Sequence, residues 1–348
     1  MLTKKELARL SGVSQQTLTR YEDLDNDPNP SSESIESLSR VLGFPVGFFF
    51  LSDIEKASAE FTSFRSLKSM TAAIRDAALA AGAIGFEISD WVENRFNLPK
   101  INVPDLSEHS SSPEVAARIL REVWGLGEQP ISNVLHLLES KGVRVFSLCE
   151  NTHKVNAYSL WRKGKPYVFL NTQKSAECSR FDAAHEVAHL VLHQDGNTRG
   201  RAAEEQANSF ASAFLMPESD LLAKAYRIYS INHLIDLKSR WKVSLMALCY
   251  RLHKVGLLTD WKYREHCIRI TQNGFNRSEP NAINREQSVV WNKVLNALWS
   301  DQQTHYDIPS ELHLPIDEIE GLVFGILSRE NVPFPLKSDG PPLRLISG

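Results

Sequence analysis

The chain has 348 residues, of which 42% are hydrophobic, and a formal net charge of −3 at pH 7. This length predicts about two or three domains with proper hydrophobic cores, and the near-neutral charge favours neither nucleic acid nor anionic membranes as a partner of the whole protein. No apolar run approaches the roughly 18 residues of a membrane span, and the polar first residues argue against export. The four cysteines form no metal-binding pair, as expected for free thiols in a reducing cytoplasm.

The first 50 residues are predicted to form a small helical module. A helix, a turn at Gly12 and a second helix are expected over residues 2–22, with Thr3 and Ser14 as N-caps. Together with residues 35–50, this segment resembles an Xre-type (lambda-repressor-like) helix-turn-helix. The resemblance implies that the second helix faces the major groove of DNA, with contacts from Gln15, Gln16, Thr17 and Arg20.

Two features separate this module from that family. The family's first helix is absent, because the segment that matches its second helix follows Met1 directly, and this predicts partial exposure of Leu7, Leu10 and Leu18 unless another element replaces that helix. Residues 1–54 contain five basic and eight acidic side chains, and an acidic module gains little affinity from DNA phosphates. DNA is therefore a candidate partner, and the alternative is a helical module kept for packing, dimerisation or partner recognition.

Residues 56–105 are predicted to be a helical connector. Residues 61–69 carry no helix or strand pattern, whereas the alanine-rich residues 70–95 are expected to form one long helix. Gly82 and Gly85 lie near its middle and are expected to soften it.

A mixed α and β segment follows the connector. Two helices and then three strands are predicted at residues 114–124, 130–141, 143–148, 156–161 and 167–171. The last two strands are joined by a short turn-forming loop at residues 162–166, which predicts a hairpin.

The next helix, over residues 175–193, carries the pattern His-Glu-x-x-His. His185 and His189 are four residues apart, which places them on one helical face with Cβ atoms about 5–6 Å apart, so that they can share one metal ion. Glu186 lies where a base can accept a proton from a metal-activated water. His193 extends this face and is interpreted as a structural residue or a hydrogen-bond partner of a ligand, because a fourth protein ligand would close the site to its catalytic water.

A third ligand is expected because catalytic zinc sites use three protein ligands. The helix predicted over residues 201–217 offers Glu204 at the edge of its apolar face, and Asn208 one turn later as a hydrogen-bond partner for a ligand. Glu205 points about 100° away on the helix and is the less favoured alternative.

Many metallopeptidases also hold an extended substrate antiparallel to a strand beside the zinc helix. We assign this role, as a hypothesis, to one strand of the hairpin.

These residues resemble the ImmA/IrrE metallopeptidase family, in which HEVAHLVLH is followed by a segment like AEEQANSFASAFLMP. Residues 241–252 resemble the closing helix pair of that family. The resemblance implies Zn²⁺ as the cofactor, bound by His185, His189 and Glu204, and Glu186 as the general base. Family members cleave a partner repressor or act in stress response, mobile elements or toxin–antitoxin pairs.

Four later side chains are candidates to stabilise the oxyanion, although each is more readily explained as structural: Tyr226, Tyr229, His233 and Arg251.

The last ninety residues are predicted to form a helical module. An amphipathic helix is expected over residues 286–300, followed by helices at 308–312 and 316–327. Core packing or protein contact is the favoured interpretation. A bolder hypothesis places a dimer or partner interface on Trp291 and Trp299.

The sequence therefore predicts a mostly α protein with a small β-sheet (α+β). Its predicted division is a truncated helix-turn-helix module (1–55), a helical connector (56–105), a metallopeptidase domain (106–258) and a helical C-terminal module (259–348). The expected function is a cytoplasmic zinc endopeptidase that cleaves a specific protein such as a repressor or antitoxin. The alternatives are a DNA-binding regulator whose peptidase fold senses without cleaving, and a metallopeptidase toxin neutralised by a small partner protein. Homodimerisation is also considered, and no membrane partner is expected.

Overall fold

A computed structural model gives the architecture of the chain. It describes residues 2–23, 29–55, 71–148, 157–194, 200–225, 230–300 and 307–327, and the backbone alone at 62–64. Helices predominate, and four short strands form one sheet, which confirms the predicted α+β class. No helix within these ranges is long and apolar enough to cross a membrane.

The N-terminal module consists of three helices and a 3₁₀ turn: α1 (Lys4–Ser11), α2 (Gln15–Tyr21), α3 (Ser32–Leu42) and Val46–Phe50. The expected caps are present, because Thr3 accepts a hydrogen bond from the backbone N–H of Glu6 and Ser14 accepts one from Thr17. Leu10 is 46% exposed, as expected without the first helix, whereas Leu18 is 3% exposed, which is the alternative in which another element covers it. Leu18 is buried because α3 covers it, with Leu38 packed against it in the small core of the module.

The sheet contains β1 (Thr62–Phe64), β2 (Arg144–Leu148), β3 (Ala157–Arg162) and β4 (Lys165–Asn171), in the order β1-β3-β4-β2. Both β1 and β4 run antiparallel to β3, whereas β2 runs parallel to β4. The predicted hairpin is β3–β4. Its two turn residues, Lys163 and Gly164, have φ values of 49° and 73°, as a two-residue type I′ turn requires. Strand β1 lies in the connector, where no strand is predicted.

Side chains of the sheet alternate between two hydrophobic cores. Val168 and Leu170 face one core, and Tyr167 and Phe169 face the other. The first core holds most helices of the middle of the chain: α5 (Pro113–Val123), α6 (Val134–Ser140), α7 (Ala176–Leu192), α8 (Arg201–Leu215), α9 (Glu218–Lys224), α10 (Ile231–Trp241), α11 (Leu245–Lys254) and α12 (Asp260–Gln272). Helix α7 therefore lies directly against the sheet, in contact with β3 and β4.

The predicted long helix is α4 (Ala72–Glu93), and it covers the second face of the sheet. Gly85 lies where this helix meets the ring of Phe169, and a Cβ atom there would be 2.9 Å from Cε1 of that ring. The glycine is therefore explained by close packing of helix on sheet, and not by the softening that the sequence suggested.

The C-terminal helices α13 (Val289–Ser300), α14 (Asp307–Leu312) and α15 (Ile316–Leu322) complete the second core. Trp291 is 4% exposed and its ring lies 5.7 Å from that of Phe146. The hypothesis of an interface built on Trp291 and Trp299 is therefore wrong for Trp291, because the sheet of the same chain already covers it. Trp299 is 44% exposed. The predicted division into four domains stays a prediction.

Candidate metal centre

Helix α7 places the His-Glu-x-x-His residues deep in the protein. Its N-terminus is capped by Ser175, whose side chain accepts a hydrogen bond from the N–H of Cys178. His185, Glu186 and His189 are all buried, because α7 is enclosed by the sheet on one side and by α8 on the other. Polar groups are costly to bury without partners, so the contacts of these three side chains define the chemistry of the site.

Two imidazoles and one carboxylate converge on a common centre. Nε2 of His185 lies 3.1 Å from Nε2 of His189. The carboxylate of Glu204, carried by α8, places Oε2 3.3 Å from Nε2 of His185 and Oε1 3.5 Å from Nε2 of His189. Ligands of a tetrahedral zinc ion with bonds of about 2.0–2.1 Å are separated by roughly 3.3 Å. The three donor groups therefore have the spacing of three corners of a zinc tetrahedron.

The carboxylate of Glu204 fits a metal by a second criterion. Its Oε2 atom is buried and has no hydrogen-bond partner, which is costly for a carboxylate oxygen unless a cation satisfies it. The Glu204 side chain is 23% exposed, whereas that of His185 is 1% exposed. The centre is thus closed at His185 and partly exposed to solvent at Glu204.

Asn208 fixes the orientation of His185. Its Oδ1 atom lies 3.1 Å from Nδ1 of His185, and an amide oxygen can only accept a hydrogen bond. A neutral His185 therefore carries its proton on Nδ1 and turns the lone pair of Nε2 toward the centre. This is the contact that the sequence predicted for Asn208, one helical turn after Glu204.

Hydrogen bonds through His193 and Gln206 fix the orientation of His189 in the same way. Nδ1 of His189 lies 2.9 Å from Nδ1 of His193, and Nε2 of His193 lies 2.8 Å from Oε1 of Gln206. Because the Gln206 oxygen can only accept, His193 donates from Nε2 and accepts from His189 at Nδ1. Nε2 of His189 is then free to bind a metal. The geometry thus gives His193 the hydrogen-bonding position expected of it, whereas Gln206 was missed, although it lies between Glu204 and Asn208 in the sequence.

Burial and charge set the protonation of this cluster. Burial lowers the pKa of His189 to about 4, against the adjacent carboxylate of Glu204, which raises it. The side chain is therefore neutral at pH 7, as a metal ligand must be. Burial alone would raise the pKa of Glu204, but the adjacent imidazoles of His185 and His189 outweigh it and lower that pKa. Glu204 is thus a carboxylate at pH 7.

Glu186 is turned toward the sheet and held there. The hydroxyl of Ser159 on β3 donates a hydrogen bond of 2.7 Å to Oε2 of Glu186. Both residues are buried, with 2% and 1% of their surfaces exposed. Sequence reasoning missed Ser159, because a serine inside a strand carries no local sign of a partner 27 residues away.

Two of the other candidates, Glu205 and Arg251, make contacts elsewhere. Glu205 is exposed and pairs with Arg201 at 2.7 Å, so the alternative ligand is not placed at the site. Arg251 is buried but bonds to the carbonyl of Met216 and to Glu114, which is a structural role, and His233 is exposed. Tyr226 and Tyr229 lie outside the described residues.

The DNA-facing candidates of the N-terminal module are mostly accessible. Gln15, Gln16 and Arg20 are exposed, and Thr17 is half-buried. The basic side chains of α1 are partly neutralised within the module, because Lys4 pairs with Glu22 at 2.6 Å and Arg9 of that helix pairs with Glu6. Two of the five basic side chains of the module are thus paired with carboxylates of the module itself.

Comparison with known families separates the chain into two matched regions. Residues 138–253 match the family model of the IrrE N-terminal-like domain, a peptidase family, and residues 1–49 match that of the helix-turn-helix. No curated protein matches the chain significantly. The first match includes every residue of the centre described above, and the second includes the four DNA-facing candidates.

Proposed function

Because the chain joins a helix-turn-helix domain to an IrrE-type peptidase domain, we propose that it is a zinc-dependent endopeptidase that cleaves a specific partner protein, such as a repressor or an antitoxin. The observation that carries the proposal is the spacing of the donor atoms, 3.1–3.5 Å among His185, His189 and Glu204. This spacing fits one zinc ion with a coordination position left over. The open position is what distinguishes a catalytic zinc site from a structural one.

In this proposal each residue of the centre has one task. His185 and His189 bind zinc through Nε2, and Glu204 binds through its carboxylate. Zinc, when bound, supplies a Lewis acid that polarises the scissile carbonyl and lowers the pKa of a water in its open position to about 7. Asn208 and His193 hold the two imidazoles in the tautomer that leaves Nε2 unprotonated.

Glu186 is the proposed general base. Its carboxylate accepts the proton of the attacking water and then delivers it to the nitrogen of the leaving amine, so that the peptide bond is hydrolysed with no net change in protons. Ser159 keeps one oxygen of this carboxylate fixed through its hydrogen bond, which orients the carboxylate for the proton transfer. A base held in one orientation transfers protons more efficiently than a mobile one.

The N-terminal module would locate the substrate. Exposed Gln15, Gln16 and Arg20 support DNA binding as a second function, which would bring the peptidase to a DNA-bound repressor.

We place the reaction in the cytoplasm, since the free thiols of Cys178, Cys249 and Cys267 suit a reducing compartment. Homodimerisation stays a prediction.

The proposal is tested by zinc content and proteolysis measured together. The Glu186→Gln protein should keep one zinc per chain and lose cleavage, whereas Glu204→Gln should lose zinc. Glu205→Gln is the matched control, because it makes the same change one residue away on an exposed pair. Substrates are identified by comparing new N-termini in cells that express the wild type or Glu186→Gln. Loss of zinc from Glu186→Gln would make Glu186 a ligand and the assigned role wrong.

The alternatives predict different results in the same experiment. A sensing, non-cleaving regulator would bind zinc but yield no new N-termini that depend on Glu186. A toxin would yield fragments of essential proteins and would be blocked by a small protein bound over the zinc cleft. The carboxylate of Glu186, which follows the ligand His185 in the sequence and is held by Ser159, favours cleavage, because a sensor has no use for a base at that place.

A further inference from the structure

The outer edge of β3 is the part of the sheet that lies next to the candidate base. Ser159 on this strand bonds to Oε2 of Glu186, and Nε1 of Trp161, two residues later, donates to the carbonyl of Leu190 on the same helix. The inner edge of β3 is occupied by β4 along its whole length. An extended peptide that reached Glu186 by strand pairing would therefore have to bind at the outer edge.

That outer edge is already occupied by the chain itself. Thr62–Phe64 pairs antiparallel with β3, with Thr62 opposite Leu160, Ser63 opposite Ser159 and Phe64 opposite Tyr158. Opposite residues of an antiparallel pair have Cα atoms about 4.5–5.5 Å apart. The backbone of Ser63 is thus one strand spacing away from the residue that holds Glu186.

A second contact with β3 lies on the N-terminal side of β1, at Glu55. Oε2 of Glu55 lies 3.0 Å from both the guanidinium of Arg162 and Nζ of Lys163, at the turn where β3 ends. Arg162 is itself buried and bonded to Asp90, so the anchor is rigid. The chain therefore enters at the turn end of β3 and runs back along the strand toward Ala157, as the antiparallel register requires.

We propose that Thr62–Phe64 occupies the peptide-binding edge as an internal competitor, and that the partner protein binds as an extended segment only after the connector has left β3. This proposal rests on the proposed function, since it assigns the outer edge of β3 to the substrate. Strand pairing through main-chain groups accepts any extended segment, which explains how a stretch of the chain itself takes the place of a substrate. The connector joins the two matched domains, so access to the centre depends on how the N-terminal module holds it.

The partner segment must be able to displace Thr62–Phe64 from β3. A strand of three residues gains little from pairing, and a segment that belongs to the same chain has an effective local concentration of about millimolar. A partner segment in solution must overcome that concentration. Disrupting β1 should therefore strengthen the binding of a free peptide by about tenfold or more.

The test uses a fluorescent peptide with the sequence of residues 58–68 of this chain as the probe. Binding is measured by anisotropy on the full-length protein carrying Glu186→Gln, without zinc, so that cleavage plays no part. Proline cannot donate a strand hydrogen bond, and alternate N–H groups of β1 face β3, so two variants cover both cases: Ser63→Pro and the double variant Thr62→Pro/Phe64→Pro. Glu55→Ala removes the anchor without touching the sheet.

The matched control is Ser52→Pro, just before the connector. Leu51 before it has φ −71° and ψ 157°, the extended conformation that proline requires of its predecessor. We expect the probe to bind at least about tenfold more tightly to one proline variant, and several-fold more tightly to Glu55→Ala, with Ser52→Pro equal to the wild type. Amides of residues 158–160 should exchange faster in that proline variant and regain protection when the probe binds.

Equal probe affinity in the wild type, both proline variants and Glu55→Ala would overturn the proposal, as would the absence of binding to all of them. Tighter binding without faster exchange at residues 158–160 would also overturn it, because the probe would then bind elsewhere. These readouts need neither zinc nor cleavage. A failed peptidase assay would therefore refute the proposed function while the occupancy of the β3 edge is decided separately.

Discussion

The hydroxyl of Ser159 lies 2.7 Å from Oε2 of Glu186 and 3.3 Å from the carbonyl oxygen of the same residue. One side chain of the sheet thus fixes the candidate base on the neighbouring helix. A hydrogen bond to a charged group contributes about 1.5–3 kcal/mol, so Ser159 of the sheet stabilises one orientation of the Glu186 carboxylate on the helix. This arrangement makes Ser159 a positioning residue for the proposed reaction.

Ser159→Ala should lower kcat by about tenfold or more while KM and zinc content stay near the wild-type values, because the carboxylate loses its orientation and no ligand is changed. The measurement is a kcat and KM determination on the partner whose cleavage depends on Glu186. Ser147→Ala is the control, since Ser147 is a buried serine of the same sheet that bonds to Gly321 and Phe324 instead. Equal losses in both variants would show a general effect on the sheet and no positioning role.

Asn208→Ala and His193→Ala should each weaken zinc binding by about 10–100-fold, because hydrogen-bond partners of metal ligands have effects of this size. The two histidines would then lose the bond that fixes their tautomer. Zinc affinity is measured by competition with a chromophoric chelator. Glu205→Ala, on the same helix but paired with Arg201 at the surface, should bind zinc like the wild type. Unchanged affinity in both of the first two variants would contradict the assigned ligand orientation.

Local patterns were sufficient to predict the main elements around the centre. The spacing of His185 and His189 predicted that the two imidazoles meet, because helical geometry alone places them on one face, whereas Glu204 as the third ligand was implied by the family resemblance. The caps at Thr3 and Ser14 and the β3–β4 turn were predicted for the same reason. Each depends on residues within a few positions of one another.

The features that the sequence does not predict depend on contacts between residues far apart in the chain. Strand β1 has three residues and exists because β3 pairs with it, so no pattern of its own marks it. Ser159 and Gln206 acquire their roles only from the packing of sheet and helices. Trp291 could belong to a core or to a partner interface, because it lies on the apolar face of an amphipathic helix. Such a pattern shows that one face is covered, but not whether the same chain or a partner protein covers it.

Glu139 should make stability depend on pH. It is buried under α13, and burial raises its pKa to about 7, against hydrogen bonds from the hydroxyl of Ser288 and the N–H groups of Val289 and Val290. Since the folded pKa exceeds the unfolded value of about 4.5, the stabilising contribution is fully present below pH 4.5 and is lost as the pH rises through about 7.

Glu139→Gln should abolish this dependence, because the amide stays neutral at every pH. The free energy of unfolding of the wild type, relative to Glu139→Gln, should fall by on the order of 3 kcal/mol between pH 4.5 and pH 8. Urea unfolding of the zinc-free proteins at several pH values measures the difference. Glu122→Gln, an exposed residue of α5, provides the control and should leave the dependence intact. A constant difference between wild type and Glu139→Gln would contradict a raised pKa.

Binding of DNA by the N-terminal module should be limited by the ion pair between Lys4 and Glu22, whose atoms are 2.6 Å apart. Glu22→Gln frees the ammonium group for a phosphate. We expect tighter binding to a duplex taken from upstream of the protein's own gene, and a salt dependence of log K that is steeper by about 0.9. Glu33→Gln changes the net charge equally on α3, away from this pair, and controls for the general effect of charge. If both variants gained affinity equally, net charge alone would explain the change, and if neither bound DNA, the module would recognise protein.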